Sequence, residues 1–165
     1  MWKTGHRTLI CISGLVWLAI GIFLLTFGIS LVIGTLHNLP FEQRFSLVRS
    51  FGALCRSNEN GVVVLLALAL LIGSMKGRFV LSKSAGRQIA RILSFSPPVP
   101  FSRIYSLGYY LLIALMIGMG MMLRFLPFAQ DVRGGVDVII GGALISASLT
   151  YFRFLVYGES RVKKI

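Results

Sequence analysis

A chain of 165 residues that is 56% hydrophobic and only 13% charged is not expected to fold as an ordinary water-soluble domain. Soluble domains of this size expose much of their surface and are about 25% charged. The net charge of +12 could favour nucleic acid, but the basic residues flank long apolar stretches, which is typical of membrane proteins instead. The composition therefore predicts an all-α integral membrane protein with anionic lipid, and no nucleic acid, as its charged partner.

Four apolar stretches are long enough to be transmembrane helices, at approximately 9–36, 61–81, 105–126 and 135–154. A helix needs about 20 residues to cross the hydrocarbon core. The second and fourth stretches reach that length only with basic residues near their ends, whose long side chains extend to the head groups. The first stretch is too long for a signal peptide and has no small-residue cleavage site, so we expect it to remain as an anchor. We expect one membrane domain over residues 1–165.

Two polar segments between the spans carry helical patterns of their own. In 37–60, apolar residues at helical spacing predict a short helix on the membrane surface or over the bundle. In 82–104, Lys83, Arg87 and Arg91 recur every four residues opposite an apolar face, ahead of a proline-rich connector. This segment predicts an amphipathic cytoplasmic extension of the second span, whose basic stripe contacts lipid head groups or a partner protein.

The basic residues fall mainly on one side of the predicted membrane. With the N-terminus placed inside, twelve of the 17 basic residues lie in inside segments and five lie outside. Lys and Arg in short loops orient membrane proteins with their basic side in the cytoplasm. The pattern therefore predicts a multi-pass protein of the bacterial cytoplasmic (inner) membrane with both termini cytoplasmic.

An internal repeat relates the first two spans to the last two. Leu15–Gly21 aligns with Leu112–Gly118, and 61–87 aligns with 135–161, at offsets of 97 and 74 residues. Two helices return the chain to the same side of the membrane, so the two units would be parallel. The repeat predicts two tandem helical hairpins related by a pseudo-twofold axis along the membrane normal.

Small residues recur at helical spacing within the spans, where they let helix backbones approach closely. The helix-packing candidates are Gly14, Gly21, Gly28, Ala69, Gly73, Gly77, Gly118, Gly134, Gly141 and Ser148. We interpret them as contacts within a four-helix bundle. The alternative is a face for contacts between copies of the chain.

Asp137 is the candidate for a polar site within the membrane, because an ionisable residue in a span is a functional hypothesis by default. Arg133 lies four residues earlier and Arg124 ends the third span, so either could pair with Asp137 in a site for an ion or a polar substrate. The alternative places Asp137 in the first turn of its helix, where the N-terminal dipole stabilises a negative charge.

The sequence contains no metal-ligand motif, phosphate-binding loop or nucleophile elbow, and it has only five acidic residues and two histidines. It therefore predicts no catalytic, cofactor-binding or metal-binding residues and no cofactor. We expect a non-enzymatic structural or assembly component that contacts anionic inner-leaflet lipid, a membrane-protein partner or further copies of itself. A small oligomeric channel or transporter is the alternative, and a lipid-modifying membrane enzyme is the least favoured.

Overall fold

The computed structural model describes residues 6–37, 46–93 and 129–157, and the single helical residues Gly118, Met122 and Phe125. The regular structure of these residues is helical throughout. The elements are α1 (His6–His37), α2 (Leu47–Cys55), α3 (Asn58–Lys76), a π-helical segment (Gly77–Leu81), α4 (Ser82–Leu93) and α5 (Gln130–Tyr157).

Three described helical stretches are long and apolar enough to cross a membrane, namely Arg7–Leu36, Asn58–Arg91 and Gln130–Tyr157. They correspond to the predicted first, second and fourth spans, which confirms the all-helical prediction for the described residues and agrees with a membrane protein. Most of the predicted third span, 105–126, and the proline-rich connector lie outside the described residues.

α1 and α5 run antiparallel and approach most closely where their glycines face each other. A Cβ atom at Gly28 would lie 2.7 Å from the carbonyl oxygen of Gly134, and one at Gly141 would lie 2.8 Å from that of Gly21. Real Cβ contacts are essentially never shorter than 3.0 Å. Any larger residue at these positions therefore forces the two helices apart.

α3 runs parallel to α5 and also contacts it through glycine. A Cβ atom at Gly73 would lie 2.5 Å from the carbonyl oxygen of Ile139, and Gly77 meets the backbone of Ala143 in the same way. Both pairs are 66 residues apart in the sequence (139 − 73 and 143 − 77). The predicted pseudo-twofold would instead pair residues 74 apart, a difference of eight residues or about 12 Å along the axis. A rotation about the membrane normal alone therefore does not relate α3 to α5, and the duplication remains a prediction.

The other small residues of the predicted packing set differ in their surroundings. Gly14 faces Tyr151, whose Cβ atom would lie 2.9 Å from a Cβ atom at that glycine. Ala69 and Ser148 are buried, whereas Gly118 is exposed and has open space around the position of a Cβ atom. Among the described residues of the predicted packing set, the glycines in close helix contact therefore lie on α1, α3, α5 and the π-helical segment.

Two apolar clusters lie at opposite ends of the bundle. One joins the start of α1, α4 and the second half of α5 through Leu9, Ile10, Trp17, Ala85, Ile89, Leu144, Ala147, Tyr151 and Phe154. The other joins the end of α1, α2 and the start of α3 through Val32, Val48, Val62 and Leu65. α4 therefore lies at one end of the bundle, and α5 begins at the other.

α2 lies within the predicted polar segment 37–60 and packs on the start of α3. Arg56 ends α2 in the left-handed conformation, with φ 58°, and α3 begins two residues later at Asn58. This tight reversal brings the backbones together, so that a Cβ atom at Gly61 would lie 2.5 Å from the carbonyl oxygen of Val48. Residues 58–60, which precede the predicted second span, form the first turn of α3 with Glu59 near its positive end.

Gly28→Ala is expected to destabilise the bundle because its Cβ atom would meet backbone atoms of α5, which cannot move as a side chain can. Overpacking of this kind costs about 1–3 kcal/mol. Thermal unfolding of the purified protein in detergent measures the effect. The matched control is Gly34→Ala on the same helix, where a Cβ atom has nothing within 4 Å. Equal unfolding temperatures for the two variants would contradict the close α1–α5 contact.

Candidate functional site

The structure places Asp137 and Arg133 on α5. Asp137 does not lie in the first turn, where the helix dipole would stabilise its charge. α5 begins at Gln130, seven residues before Asp137, so Asp137 lies in the second turn and the first-turn interpretation is wrong. Both residues are half-buried and four apart on one helix. Arg124 lies outside the described residues. An ion or substrate site at Asp137 remains a prediction.

The acidic residue in the first turn of α5 is Asp131, whose side chain is completely buried. Its Oδ2 atom accepts hydrogen bonds from the Ser46 hydroxyl and from the Val48 backbone N–H, both at 2.8 Å. Its Oδ1 atom accepts one from the Val132 N–H at 2.9 Å. A buried carboxylate with three donors is well satisfied, which identifies Asp131 as a structural tie between α5 and α2.

The hydrogen bonds of Asp131 use an N–H group at the start of α2 that has no partner within that helix. The first N–H groups of α2 have no partner within the helix, and Val48 is its second residue. Ser46 occupies the N-cap position, and its hydroxyl accepts a hydrogen bond from Arg49 N–H at 3.2 Å while donating to Asp131. The negative charge of Asp131 therefore lies at the positive end of the α2 dipole.

Sequence reasoning missed Asp131 because it assigned residues before 135 to a loop. A signal was present, since an acidic residue just before an apolar run is typical of a helix N-terminus. Its partner Ser46 lies 85 residues away, and no local pattern connects the two.

The uncharged parts of α3 and α5 are displaced from each other along the bundle. They are 60–75 in α3 and 138–152 in α5, and the Gly73–Ile139 register places 138–152 beside 72–86. The shared uncharged length is four residues, or about 6 Å, against a hydrocarbon core of about 30 Å. If both helices cross the bilayer, ionisable side chains lie at hydrocarbon depth, and the nearest to the shared stretch are Lys76, Arg78, Arg133 and Asp137.

The predicted basic stripe lies on the exposed side of α4. Lys83, Arg87 and Arg91 are all exposed, whereas Ala85 and Ile89 on the opposite side are each 1% exposed. The apolar face of α4 is therefore covered by α1 and α5, not by lipid. Packing on α1 and α5 therefore fixes the position of α4 and of its basic side chains.

Buried hydroxyls hold α4 against α5 where the π-helical segment ends. The Thr150 hydroxyl donates to Ser82 Oγ at 3.0 Å, and the Ser82 hydroxyl donates to the Gly77 carbonyl oxygen at 3.1 Å. The Ser82 N–H also donates to Gly77, which is the five-residue spacing of a π-helix. The extra residue in this turn sets the direction in which the basic face of α4 points.

The described basic residues are unevenly distributed between the two ends of the bundle. Toward the α4 end lie Arg7, Arg78, Lys83, Arg87, Arg91 and Arg153, near the middle lies Lys76, and toward the α2 end lie Arg49, Arg56 and Arg133.

In the described part of the chain, no group of three or more His, Cys, Asp or Glu residues could hold a metal ion. Comparison with protein-family models, curated proteins and solved structures finds no match.

Asp131→Ala is expected to release the start of α2, because Val48 N–H and the Ser46 hydroxyl lose their acceptor in a buried site. Leaving buried donors unsatisfied costs about 1–3 kcal/mol. Hydrogen–deuterium exchange of residues 47–55 in the purified protein should become correspondingly faster. Glu59→Ala is the control, since Glu59 is an exposed first-turn acid of α3. The same acceleration in both variants would argue against a specific tie.

Proposed function

We propose that this protein is a non-enzymatic assembly component of the bacterial inner membrane, whose basic α4 face binds an acidic surface of a partner protein. The observation that carries the proposal is that Lys83, Arg87 and Arg91 are exposed while the opposite face of α4 is buried. Because its apolar side is already covered, α4 has little apolar surface to insert into lipid. Its exposed side offers positive charge in a fixed arrangement, which suits electrostatic recognition.

The length of the helix favours a protein partner over head groups alone. α3, the π-helical segment and α4 comprise 36 residues (19, 5 and 12). At 1.5 Å per residue this is about 54 Å, against about 30 Å of hydrocarbon. Lys83 and Arg91 are about 12 Å apart along the axis, which exceeds a head-group layer of about 5–8 Å. Anionic head groups near Lys83 would add to the attraction.

The excess of basic residues toward the α4 end supports a cytoplasmic location for α4. Lys83→Cys, made with Cys11 and Cys55 replaced by serine, is expected to react with a membrane-impermeant maleimide only after the cytoplasmic side is opened. Arg49→Cys, at the other end of the bundle, should react in intact spheroplasts. The reverse pattern would invert the proposed orientation.

The double variant Lys83→Gln/Arg87→Gln is expected to lose its partner when complexes are purified in mild detergent and quantified by mass spectrometry. A loss of about tenfold in the co-purified protein corresponds to about 1.4 kcal/mol. Raising the ionic strength should have the same effect, because salt screens exposed charges.

The matched control is Arg49→Gln/Arg56→Gln, which removes two exposed charges at the other end of the bundle. The proposal predicts that this control keeps the partner. An identical set of co-purified proteins in both double variants would refute the role of the α4 face.

A small oligomeric channel or transporter is the second candidate, favoured by the half-buried Arg133 and Asp137 close to the shared uncharged stretch. Ion or solute flux in proteoliposomes that depends on Asp137 would support this candidate over the first.

A further inference from the structure

A groove crosses the surface of α5 between α1 and α3, within their membrane-spanning lengths. Its volume is about 450 Å³, and its lining includes Leu25 of α1, Leu71 and Ser74 of α3, and Gly142 and Ser146 of α5. The Ser74 hydroxyl donates to the Leu71 carbonyl oxygen at 2.9 Å, so this hydroxyl is already satisfied within its own helix. The groove therefore presents a mainly apolar surface.

Two arginines extend the line of the groove toward the α4 end. Arg78, in the π-helical segment, lies one turn beyond Ser74 of α3, and Arg153 lies two turns beyond Ser146 on α5, so each continues the face that lines the groove. Both are exposed. Arg78 lies beside the end of the groove, and Arg153 lies about 14 Å farther along the bundle.

The charge on this face is positive. The nearest described acidic residue, Asp137, lies five residues before Gly142, which places it about 140° away around α5. An apolar groove that leads to two exposed guanidinium groups matches a ligand with an apolar chain and an anionic end. Arginine suits a phosphate end, because its planar group forms two parallel hydrogen bonds to phosphate oxygens.

We propose that the groove binds an acyl chain of an anionic phospholipid from the surrounding bilayer, that Arg78 beside the groove binds its phosphate, and that Arg153, farther toward the α4 end, adds attraction for the anionic head group. The long arginine side chains extend along the helix surface to the head group while their stems cover apolar surface. This lipid site is separate from the basic face of α4 and does not rest on the proposed partner protein.

The test titrates the purified full-length protein with dioleoyl phosphatidylglycerol or dioleoyl phosphatidylcholine and counts bound lipids by native mass spectrometry. We expect the wild type to retain phosphatidylglycerol in preference to phosphatidylcholine. Arg78→Gln/Arg153→Gln should lower the affinity for phosphatidylglycerol about tenfold, whereas Arg49→Gln/Arg56→Gln should leave it unchanged. An equal loss in both double variants would show that total charge, and no defined site, binds the lipid, which overturns the proposal.

Gly142→Leu tests the groove itself. A Cβ atom at Gly142 has its nearest neighbour, Leu70 Cδ2, at 3.7 Å, so the bundle accommodates the start of a longer side chain there, which then fills the groove. Its control is Gly34→Leu, at a position with open space on α1. We expect only Gly142→Leu to lose phosphatidylglycerol.

Two results would overturn the groove assignment. One is unchanged phosphatidylglycerol binding by Gly142→Leu. The other is a lipid-free dimer of the wild type that Gly142→Leu converts to monomer, which would make a second copy the occupant. Lys83→Gln/Arg87→Gln should keep the groove lipid, so failure of the lipid site and failure of the α4 face are distinguishable.

Discussion

The close contact between α1 and α5 is the interaction on which the other described contacts depend. Hydrocarbon tails are as apolar as leucine, so helices in a bilayer gain little from covering apolar side chains and associate where their backbones approach closely. Gly21 and Gly28 meet Gly141 and Gly134 in this way. α5 then contacts α3 along another side and α2 and α4 at its two ends, which makes it the central helix of the described bundle.

Because glycines determine the register of these helices, they also determine where the charges lie. The contact of Gly73 with Ile139 places the uncharged part of α5 nearer to the α4 end of the bundle than the uncharged part of α3. A shift of α3 by one helical turn would keep one of the two glycines at the contact with α5 and replace the other with Ala69 or Leu81, depending on the direction of the shift. The register that packs α3 closely on α5 therefore does not align their uncharged parts. Arginine and lysine side chains that extend to the membrane surface reduce the cost of this misalignment.

The fold class could be predicted from the sequence because a bilayer requires long apolar helices, and composition reports this directly. The spacing of Gly14, Gly21 and Gly28 identifies one face of α1, but glycines with the same spacing occur in α5 and similar patterns occur in the other spans, so spacing does not name the partner helix. The π-helical segment Gly77–Leu81 has no sequence signature, since one extra residue in a turn changes hydrogen bonds without changing composition. Sequence pattern could place Asp131 at a helix N-terminus, but it could not predict the contact with α2, because that contact depends on a serine 85 residues away.

The hydrogen bonds of Asp131 also have a consequence for the order of assembly. The chain is made from its N-terminus, so α2 is complete about 80 residues before Asp131 is added. Until then the first N–H groups of α2 must bind water or other polar groups. The contact between α2 and α5 is therefore completed only after Asp131, in the first turn of α5, has been added to the chain.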